Sequence, residues 1–440
     1  MPGAKPELIR DLGLFDSMMI NLGTIIGTGI FIVPATIAMY LQSSSLALGV
    51  WVFGGFVTML GAISIAELGT AMPDAGGQYV YLSKAYGPIW GFLYGWTTFA
   101  LINTASIATV AVGFGIYVGH FIPMGTLATR LTGIASIALL TTINCLGLRH
   151  GARTQNILTS LKIAVIVGLG AAGFVLHGGS FANFSPVLPT VPLTGLGGPL
   201  ALSMIAVLWA YDGWIEITYV ASEVKNPQRN LPLALVFGTL AAVFMYVLIN
   251  AAYIYVLSVG KMSQSTLVAA DTATVLLGRY GATLIAAAVL VSALGANNGF
   301  ILAGARIYYA MAKEGLMFPW MGKVHPRFHT PAGSLITQGV WSSILVFTGT
   351  FNQLFTYAVF AGWIYYAMSC GAVLVLRKTA PDMPRPYRAW GYPAAPVIFI
   401  LFAIWLVVST IINDFRDSAI GVGIILLGLP AYYYWSRKKP

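Results

Sequence analysis

Two short stretches place residues that weaken a helix where the backbone itself could bind a ligand. The first is NLGTIIGTGIF, residues 21–31, which contains three glycines, and the second is WAYDGW, residues 209–214, in which Asp212 precedes Gly213. A glycine inside a helix costs about 1 kcal/mol relative to alanine. An aspartate at the centre of a membrane costs roughly 2.5–3.5 kcal/mol. We therefore predict that both helices are interrupted, which leaves peptide N–H and C=O groups free to bind a ligand.

Free peptide groups at an interruption suit a dipolar ligand. N–H groups at the start of a helix attract a carboxylate, and C=O groups at the end of a helix attract an ammonium. The predicted carboxylate site consists of the backbone N–H groups of Gly27, Thr28 and Gly29. The predicted amine site consists of the backbone C=O groups of Ile25, Trp209 and Asp212. Such donors and acceptors, held close together, match an α-amino acid.

Four small or amide residues are candidates for the pocket that receives the side chain of this ligand. They are Gly23, Gly213, Asn297 and Asn298. For Gly23 the alternative is that the pattern Gly23-x-x-x-Gly27 only lets two helices pack closely. For the two asparagines the alternatives are hydrogen bonds between helices, contact with the ligand, or contact with Lys162.

A candidate inner gate follows from two further features of the sequence. The stretch GGQYVYLSKAYG, residues 76–87, is too polar to cross a membrane, and it predicts a short interfacial helix that carries Tyr79 and Tyr81. Glu223 and Arg229 are candidates for an ion-pair latch on the same side. The alternatives are interfacial aromatic residues and a plain solvated ion pair.

The composition identifies the elements that must position these residues. The chain has 440 residues, of which 58% are hydrophobic and only 8% charged, whereas about 25% of residues in a soluble domain are charged. Apolar runs of the length that spans a bilayer recur along the chain, and the alternation expected of a lipid-facing barrel strand is absent. We predict an all-α membrane protein of about twelve helices. The spans are 13–40, 47–71, 89–119, 130–148, 154–176, 199–222, 231–258, 272–311, 334–349, 353–376, 393–412 and 418–436.

The net charge of +10 reflects membrane topology rather than a nucleic-acid partner. If the N-terminus is cytoplasmic, nearly all lysines and arginines fall in the cytoplasmic segments between these spans, which is the positive-inside pattern. The exceptions are Arg130, Lys261, Arg279 and Arg416 on the outer side, and Lys162 inside a span. Both termini are therefore predicted to be cytoplasmic.

Interrupted helices in the first and sixth spans predict an internal repeat. Four unbroken spans separate the two, and disrupted helices at corresponding positions are typical of transporters built from inverted repeats, with the substrate at the repeat interface. The predicted organisation is a tail 1–12, a first repeat 13–176 (five helices), a second repeat 199–377 (five helices), an appended pair 393–436 and a basic C-terminus 437–440.

Several motifs resemble the amino acid–polyamine–organocation superfamily and its L-type amino acid transporter branch. They are IIGTGIF (25–31), PDAGGQYVYLSKAYGPIWGFLYGW (73–96), WAYDGW (209–214), SEVKNPQRNLPLAL (222–235) and SALGANNGFILAGARIYYAMAKEG (292–315). They are collinear over roughly residues 10–380. The resemblance is to bacterial exchangers of serine and threonine, or of alanine, serine and cysteine. It implies the five-plus-five inverted repeat and the backbone substrate site described above.

The resemblance also implies roles for three further features. Trp209 would close the site from outside, and Lys162 would stand where sodium-driven transporters of this fold bind Na⁺. Asp212 stands where many relatives have glycine, which leaves the preferred substrate charge open. The segment 119–130 lacks the cysteine that joins eukaryotic relatives to a heavy chain, so no disulfide-linked partner is expected.

We therefore expect sodium-independent exchange of small or neutral L-amino acids by a monomer in a prokaryotic cell membrane. A proton-coupled amino acid or polyamine symporter is the alternative, because a buried lysine can lose its proton. A channel is a lesser alternative, since it should show charged rings or repeated carbonyl filters. No intramembrane catalytic set is present, so an enzyme is not expected. Neither a cofactor nor a metal is expected, because Pro326 separates the only closely spaced histidines, His325 and His329.

Overall fold

Helices make up most of the chain in the computed structural model, which describes residues 7–176, 178–189, 195–348, 351–413 and 415–438. Within these ranges no strand forms, and the single β-bridge joins Leu12 to Val224. In the part of the chain that the structure describes, ten helical segments are long and apolar enough to cross a membrane, three of which contain two of the helices numbered below. Gly197–Ala210 and Ala332–Phe347 are shorter apolar helices. The prediction of an all-α multi-pass membrane protein is therefore confirmed. The predicted tails 1–12 and 437–440 lie partly outside the described residues.

The helices are numbered in chain order. The first eight are α1 (Leu14–Ile25), α2 (Gly29–Leu41), α3 (Ser44–Ala71), α4 (Gln78–Tyr86), α5 (Pro88–Thr97), α6 (Asn103–Phe121), α7 (Thr126–Cys145) and α8 (Leu148–Val175). The second eight are α9 (Gly197–Ala210), α10 (Pro227–Met262), α11 (Val268–Leu277), α12 (Gly281–Lys313), α13 (Ala332–Thr348), α14 (Phe351–Thr379), α15 (Ala394–Asn413) and α16 (Phe415–Ser436). A π turn, Thr98–Ile102, joins α5 to α6, and a 3₁₀ helix, Glu216–Glu223, follows α9.

The first and sixth spans are both interrupted, as predicted. In the first, α1 ends at Ile25 and α2 begins at Gly29. In the sixth, α9 ends at Ala210, and a run of turns that includes Gly213 at φ +93° leads into the 3₁₀ helix. A positive φ is accessible to glycine at little cost, which explains why the helix breaks there. The division into two inverted repeats stays a prediction.

The eighth span differs from its predicted extent of 272–311. Gly278 adopts φ +65° and separates α11 from α12, so the helix begins at Gly281 and runs to Lys313. Hydropathy alone merged the two helices because both are apolar. The short helix predicted within 76–87 is present as α4, and its position at the membrane interface stays a prediction.

Two long helices organise the packing around the interruptions. Helix α10 contacts α1, α3 and α8, and α12 contacts α1, α6 and α8. Asp11 and Trp435, near the two ends of the described chain, make contacts at the same end of this bundle. There Lys225, at the start of α10, binds Asp11 of the N-terminal tail, and Trp435 of α16 packs on Phe318, which follows α12. We call this the terminal end.

Candidate functional site

The two interruptions are in direct contact. The Thr24 hydroxyl in α1 donates a hydrogen bond of 2.9 Å to the carbonyl oxygen of Gly213. A Cβ added at Gly213 would lie 2.8 Å from both the carbonyl carbon and the carbonyl oxygen of Thr24. A Cβ at Gly29 would lie 3.1 Å from both Cα and Cβ of Ala210. Glycine is thus required at Gly213, and the contact at Gly29 leaves almost no room for a side chain.

A cavity lies beside this contact. It is a small cavity, in which the centre of a water-sized sphere can occupy about 40 Å³. Six of its lining residues were predicted from the sequence to bind substrate, namely Ile25, Gly27, Thr28, Gly29, Trp209 and Asp212. The other lining residues are Thr24, Ser106, Thr109, Val110, Ala210, Ala296, Phe300 and Val359. The sequence patterns did not single out this second group, which comes largely from α6, α12 and α14.

Two of the three predicted N–H donors face the cavity without a partner. Among the described residues, neither Thr28 nor Gly29 donates its N–H to another group. Both stand at the start of α2, where the helix dipole favours a negative charge. The N–H of Gly27 instead donates to the Ile25 carbonyl at 2.9 Å. We therefore correct the predicted carboxylate site by removing Gly27 from its donors.

The predicted amine acceptors also differ in availability. The Ile25 carbonyl accepts hydrogen bonds from the Gly27 N–H and from the Tyr246 hydroxyl, the latter at 2.9 Å. Both of its lone pairs are therefore occupied, and we correct its assignment as an amine ligand. The Trp209 carbonyl accepts the Asp212 N–H at 3.0 Å. The Asp212 carbonyl has no donor among the described residues, so it is the strongest remaining acceptor.

Lys162 of α8 lies where the prediction requires it. The side chain is 1% exposed, and its ammonium donates to the carbonyls of Gly23 at 2.9 Å and Ile26 at 2.6 Å. A third bond of 3.3 Å reaches the Ser292 carbonyl of α12. The ammonium thus satisfies carbonyls that the end of α1 leaves unpaired. Its role in place of an ion stays a prediction.

The predicted side-chain pocket needs correction at all four positions, because none of Gly23, Gly213, Asn297 and Asn298 lines the cavity. A Cβ at Gly23 would lie 2.0 Å from the Gln155 amide nitrogen, which supports the close-packing alternative for this glycine. The Asn298 amide donates to Gln155 at 2.8 Å and accepts from Asn144 at 2.8 Å. It therefore links α12 to α7 and α8. Gly213 contacts Thr24 in the wall of the cavity, as described above.

The terminal end is closed by a different ion pair from the predicted one. Arg306 of α12 donates to both carboxylate oxygens of Glu223, at 2.7 and 3.0 Å, and neither side chain is more than 1% exposed. Arg229 is exposed, so we correct the predicted latch by replacing Arg229 with Arg306. Tyr79 and Tyr81 are both buried, and the Tyr79 hydroxyl donates to Glu314 at 2.8 Å.

The N-terminal segment is hydrogen-bonded to the terminal end of the bundle. The N–H groups of Asp11 and Leu12 donate to the Glu223 carbonyl, at 2.9 and 3.0 Å. The Asp11 carboxylate accepts hydrogen bonds from Arg149 and, at 2.9 Å, from Lys225. These hydrogen bonds, from Arg149 first and Lys225 second, lower the pKa of Asp11 to about 2. The tail thus bridges the start of α8 and the start of α10.

The electrostatics of the cavity favour a substrate without a negatively charged side chain. None of the described lining residues is lysine, arginine or histidine, and Asp212 is an acidic one. Its carboxylate accepts a 2.6 Å hydrogen bond from the Tyr366 hydroxyl. Elsewhere in the described chain, no three metal-ligating side chains are grouped to hold an ion.

Comparisons with known proteins agree with this architecture. A family model described as "Amino acid permease" matches residues 12–429. The chain is 33% identical over 436 residues to the "Serine/threonine exchanger SteT" of Bacillus subtilis, covering 98% of each protein. It is 32% identical over 441 residues to the human "b(0,+)-type amino acid transporter 1", covering 98% of this chain and 89% of the relative. It is 30% identical over 442 residues to the human "Cystine/glutamate transporter", covering 99% of this chain and 87% of the relative.

Proposed function

The chain belongs to the amino acid permease family of membrane transporters, and from this premise we propose that it exchanges small neutral L-amino acids across the membrane without sodium. Relatives that align over nearly the whole of this chain are named for serine and threonine, and for cystine and glutamate. Family membership therefore supports amino acid transport but leaves the substrate to be argued from the site.

The observation that carries the proposal is a set of unpartnered backbone donors and acceptors around one cavity. Thr28 and Gly29, whose N–H groups have no partner among the described residues, line the same cavity as Asp212, whose carbonyl has none there either. A substrate carboxylate would accept from the N–H groups and its ammonium would donate to the carbonyl. These groups are common to all amino acids, so the remaining walls must discriminate between side chains.

Lys162 supports exchange rather than sodium-driven uptake. Its ammonium already occupies the carbonyls of Gly23 and Ile26 at the end of α1. A second cation at the same carbonyls would meet a like charge within a few ångströms, which is strongly unfavourable in a buried site. Without a driving ion, net flux depends on the amino acid gradients, and exchange is the expected mode.

Counterflow in proteoliposomes tests the proposal. Vesicles loaded with unlabelled serine should accumulate external labelled serine, while empty vesicles should not, and replacing Na⁺ with K⁺ should leave the rate unchanged. The control is Gly168→Ala, because Gly168 lies inside helix α8, a Cβ there meets no atom within 4 Å and the residue lies outside the cavity lining. Dependence of the rate on Na⁺ would refute the sodium-independent mechanism.

Proton-coupled symport of an amino acid or polyamine is the second candidate, and the buried amine of Lys162 favours it because an amine can release and rebind a proton. Uptake into empty vesicles that is driven by an inwardly directed proton gradient would establish this mechanism instead. The two functions are thus separated by whether internal amino acid is required.

Several further assignments accompany the proposal. The terminal end faces the cytoplasm of a prokaryotic cell, in keeping with its lysines and arginines. Residues 13–176 and 199–377 form the inverted repeats, with 393–436 appended. The transporter works as a monomer without nucleic acid, enzymatic activity, cofactor or disulfide-linked heavy chain. Both cysteines, Cys145 and Cys370, lie in helices, which supports the absence of an external disulfide.

A further inference from the structure

One wall of the cavity carries a hydroxyl group that has no partner. Ser106, Thr109 and Val110 of α6 line the cavity. Thr109 is 3% exposed, and within the described residues its hydroxyl makes no hydrogen bond. A threonine in a helix ordinarily bonds to the carbonyl of the preceding turn, as Ser106 does to Ile102 at 2.8 Å. Leaving a buried hydroxyl unsatisfied is unfavourable, so a ligand in the cavity is the expected partner.

A local irregularity determines which face of α6 reaches the cavity. The π turn Thr98–Ile102 holds one residue more than an α-helical turn, and each residue corresponds to about 100° of rotation. Side chains satisfy the carbonyls that this turn releases. The Trp341 indole N–H donates to Ala100 at 3.1 Å, and the Thr104 hydroxyl donates to Phe99 at 2.7 Å. The hydrogen bonds from Trp341 and Thr104 therefore stabilise the helix register that places Thr109 in the cavity wall.

The residues around Thr109 restrict the side chain that can occupy this part of the cavity. The remaining wall is mostly apolar, formed by Val110, Ala296, Phe300 and Val359. The polar side-chain groups of the lining are the hydroxyls of Thr24, Thr28, Ser106 and Thr109, the Trp209 indole and the Asp212 carboxylate. The Thr24 hydroxyl is already bonded to the Gly213 carbonyl. Because the Ser106 hydroxyl donates its proton to the Ile102 carbonyl, its oxygen can only accept a hydrogen bond from the substrate. A small side chain that both donates and accepts a hydrogen bond fits this combination, whereas a carboxylate would face Asp212.

We propose that Thr109 is a specificity-determining residue that hydrogen-bonds the hydroxyl of a small substrate side chain. The preferred substrates are then serine and threonine rather than alanine and valine. This inference rests on the proposed amino acid exchange, but it concerns one residue and one substrate atom. A pocket that bonds a substrate hydroxyl discriminates against the analogue that lacks it, because the protein group is left unpaired.

The test compares substrate pairs in Thr109→Val, which replaces the hydroxyl with a methyl group of similar size. We measure kcat/KM for counterflow of serine and alanine in each variant. The serine-to-alanine ratio of kcat/KM should fall about five- to tenfold, the effect of one hydrogen bond. Thr109→Ser keeps a hydroxyl and should restore the ratio. Thr142→Val makes the same substitution on the exposed face of α7 and should leave the ratio at the wild-type value.

Two outcomes would overturn the assignment. Equal losses for serine and alanine in Thr109→Val would mean that the residue only supports packing. Stronger inhibition of serine counterflow by lysine than by threonine would show that the pocket selects a cationic side chain. Thermal stabilisation by serine and alanine is measured on the same purified proteins. If no amino acid is exchanged by the wild-type protein, the proposed function fails, and the difference in stabilisation between serine and alanine still decides the role of Thr109.

Discussion

Replacing Gly213 with alanine tests whether the two helix interruptions must touch for the protein to bind its substrate. The added Cβ would lie 2.8 Å from the Thr24 carbonyl carbon and oxygen, and 3.0 Å from the Thr24 Cβ. The nearest of these atoms belong to the backbone, which cannot rotate away as a side chain can. Gly213→Ala should therefore push α1 away from the segment after α9, and the shift begins immediately before the backbone proposed to bind the substrate.

The free-energy cost of Gly213→Ala has two parts, which a matched control variant separates. Gly213 adopts φ +93°, and a positive φ in a sparsely populated region costs a residue other than glycine about 1–3 kcal/mol. Overpacking against fixed atoms adds about 1–3 kcal/mol. Gly87 also has a positive φ, +102° with ψ 163°, but a Cβ there would meet no atom within 4 Å. Gly87→Ala should therefore incur only the first cost, and the difference of about 1–3 kcal/mol reports the contact between the interruptions.

The assay is counterflow combined with thermal stability of both variants in detergent. If the overpacking strains the substrate-bound state, the affinity of Gly213→Ala for substrate should fall roughly 5- to 150-fold, which corresponds to about 1–3 kcal/mol. Gly87→Ala should lose stability but keep wild-type affinity. Wild-type affinity in Gly213→Ala would refute the reasoning, because the substrate site would then tolerate separation of the two interruptions. Equal effects of the two variants would assign the loss to backbone conformation alone.

Three other predictions follow from buried or strained groups. Lys162→Met should lower both the melting temperature and the exchange rate, because it leaves two buried carbonyls unsatisfied at about 1–3 kcal/mol each; a wild-type melting temperature would contradict this. The stabilisation of the folded protein by Asp11, whose pKa is lowered to about 2 by its basic partners, should be complete above the unfolded value of about 3.9 and be lost as pH falls towards 2. The melting temperature of the wild type should thus exceed that of Asp11→Asn at neutral pH, and the two melting temperatures should converge in acid. A difference that does not change with pH would argue against the ion pairs. Ser258 adopts φ +62° and ψ 153° inside α10. Ser258→Gly should raise the melting temperature, because it relieves about 1–3 kcal/mol of backbone strain and adds only roughly 0.5–1 kcal/mol of conformational entropy cost for glycine. A lower melting temperature would show that the serine side chain is needed there.

The spans and their interruptions could be predicted from the sequence because both depend on local composition. Apolar runs specify membrane helices, and glycine beside an aspartate marks a weak turn within 209–214. The extra break at Gly278 was missed because it lies between two apolar stretches. A single glycine there does not lower the average hydropathy of the segment.

The occupancy of the backbone groups could not be predicted because their partners are distant in sequence. Tyr246 is 221 residues from Ile25, and no local pattern indicates that its hydroxyl fills that carbonyl. The latch illustrates the same limit. Charge placement suggested an arginine near Glu223, but only the packing of α12 reveals that Arg306 is the buried partner.

The contribution of α6 was invisible for a different reason. Hydrophobic periodicity assumes 3.6 residues per turn, and the π turn Thr98–Ile102 changes the register within one span. Residues assigned to the cavity face by uniform periodicity would therefore be wrong after this turn. The carbonyl bonds from Trp341 and Thr104 that stabilise it involve ordinary apolar or small residues with no distinctive spacing.

The closed terminal end and the cavity share one short segment, and this constrains how transport can occur. Asp212 lines the cavity, while Glu223 at the far end of the 3₁₀ helix binds both Arg306 and, through its carbonyl, the N-terminal tail. Opening the terminal end must separate a buried ion pair, and stranding one of its charges would cost about 3–5 kcal/mol. Water must therefore enter as the pair parts. A substrate that binds the proposed site at Asp212 contacts the segment that also carries Glu223. Its binding energy can offset part of the cost of separating the Glu223–Arg306 pair only if that segment moves as a unit. The hydrogen bond from Thr24 to Gly213 joins α1 to that segment, which favours movement of both interruptions together.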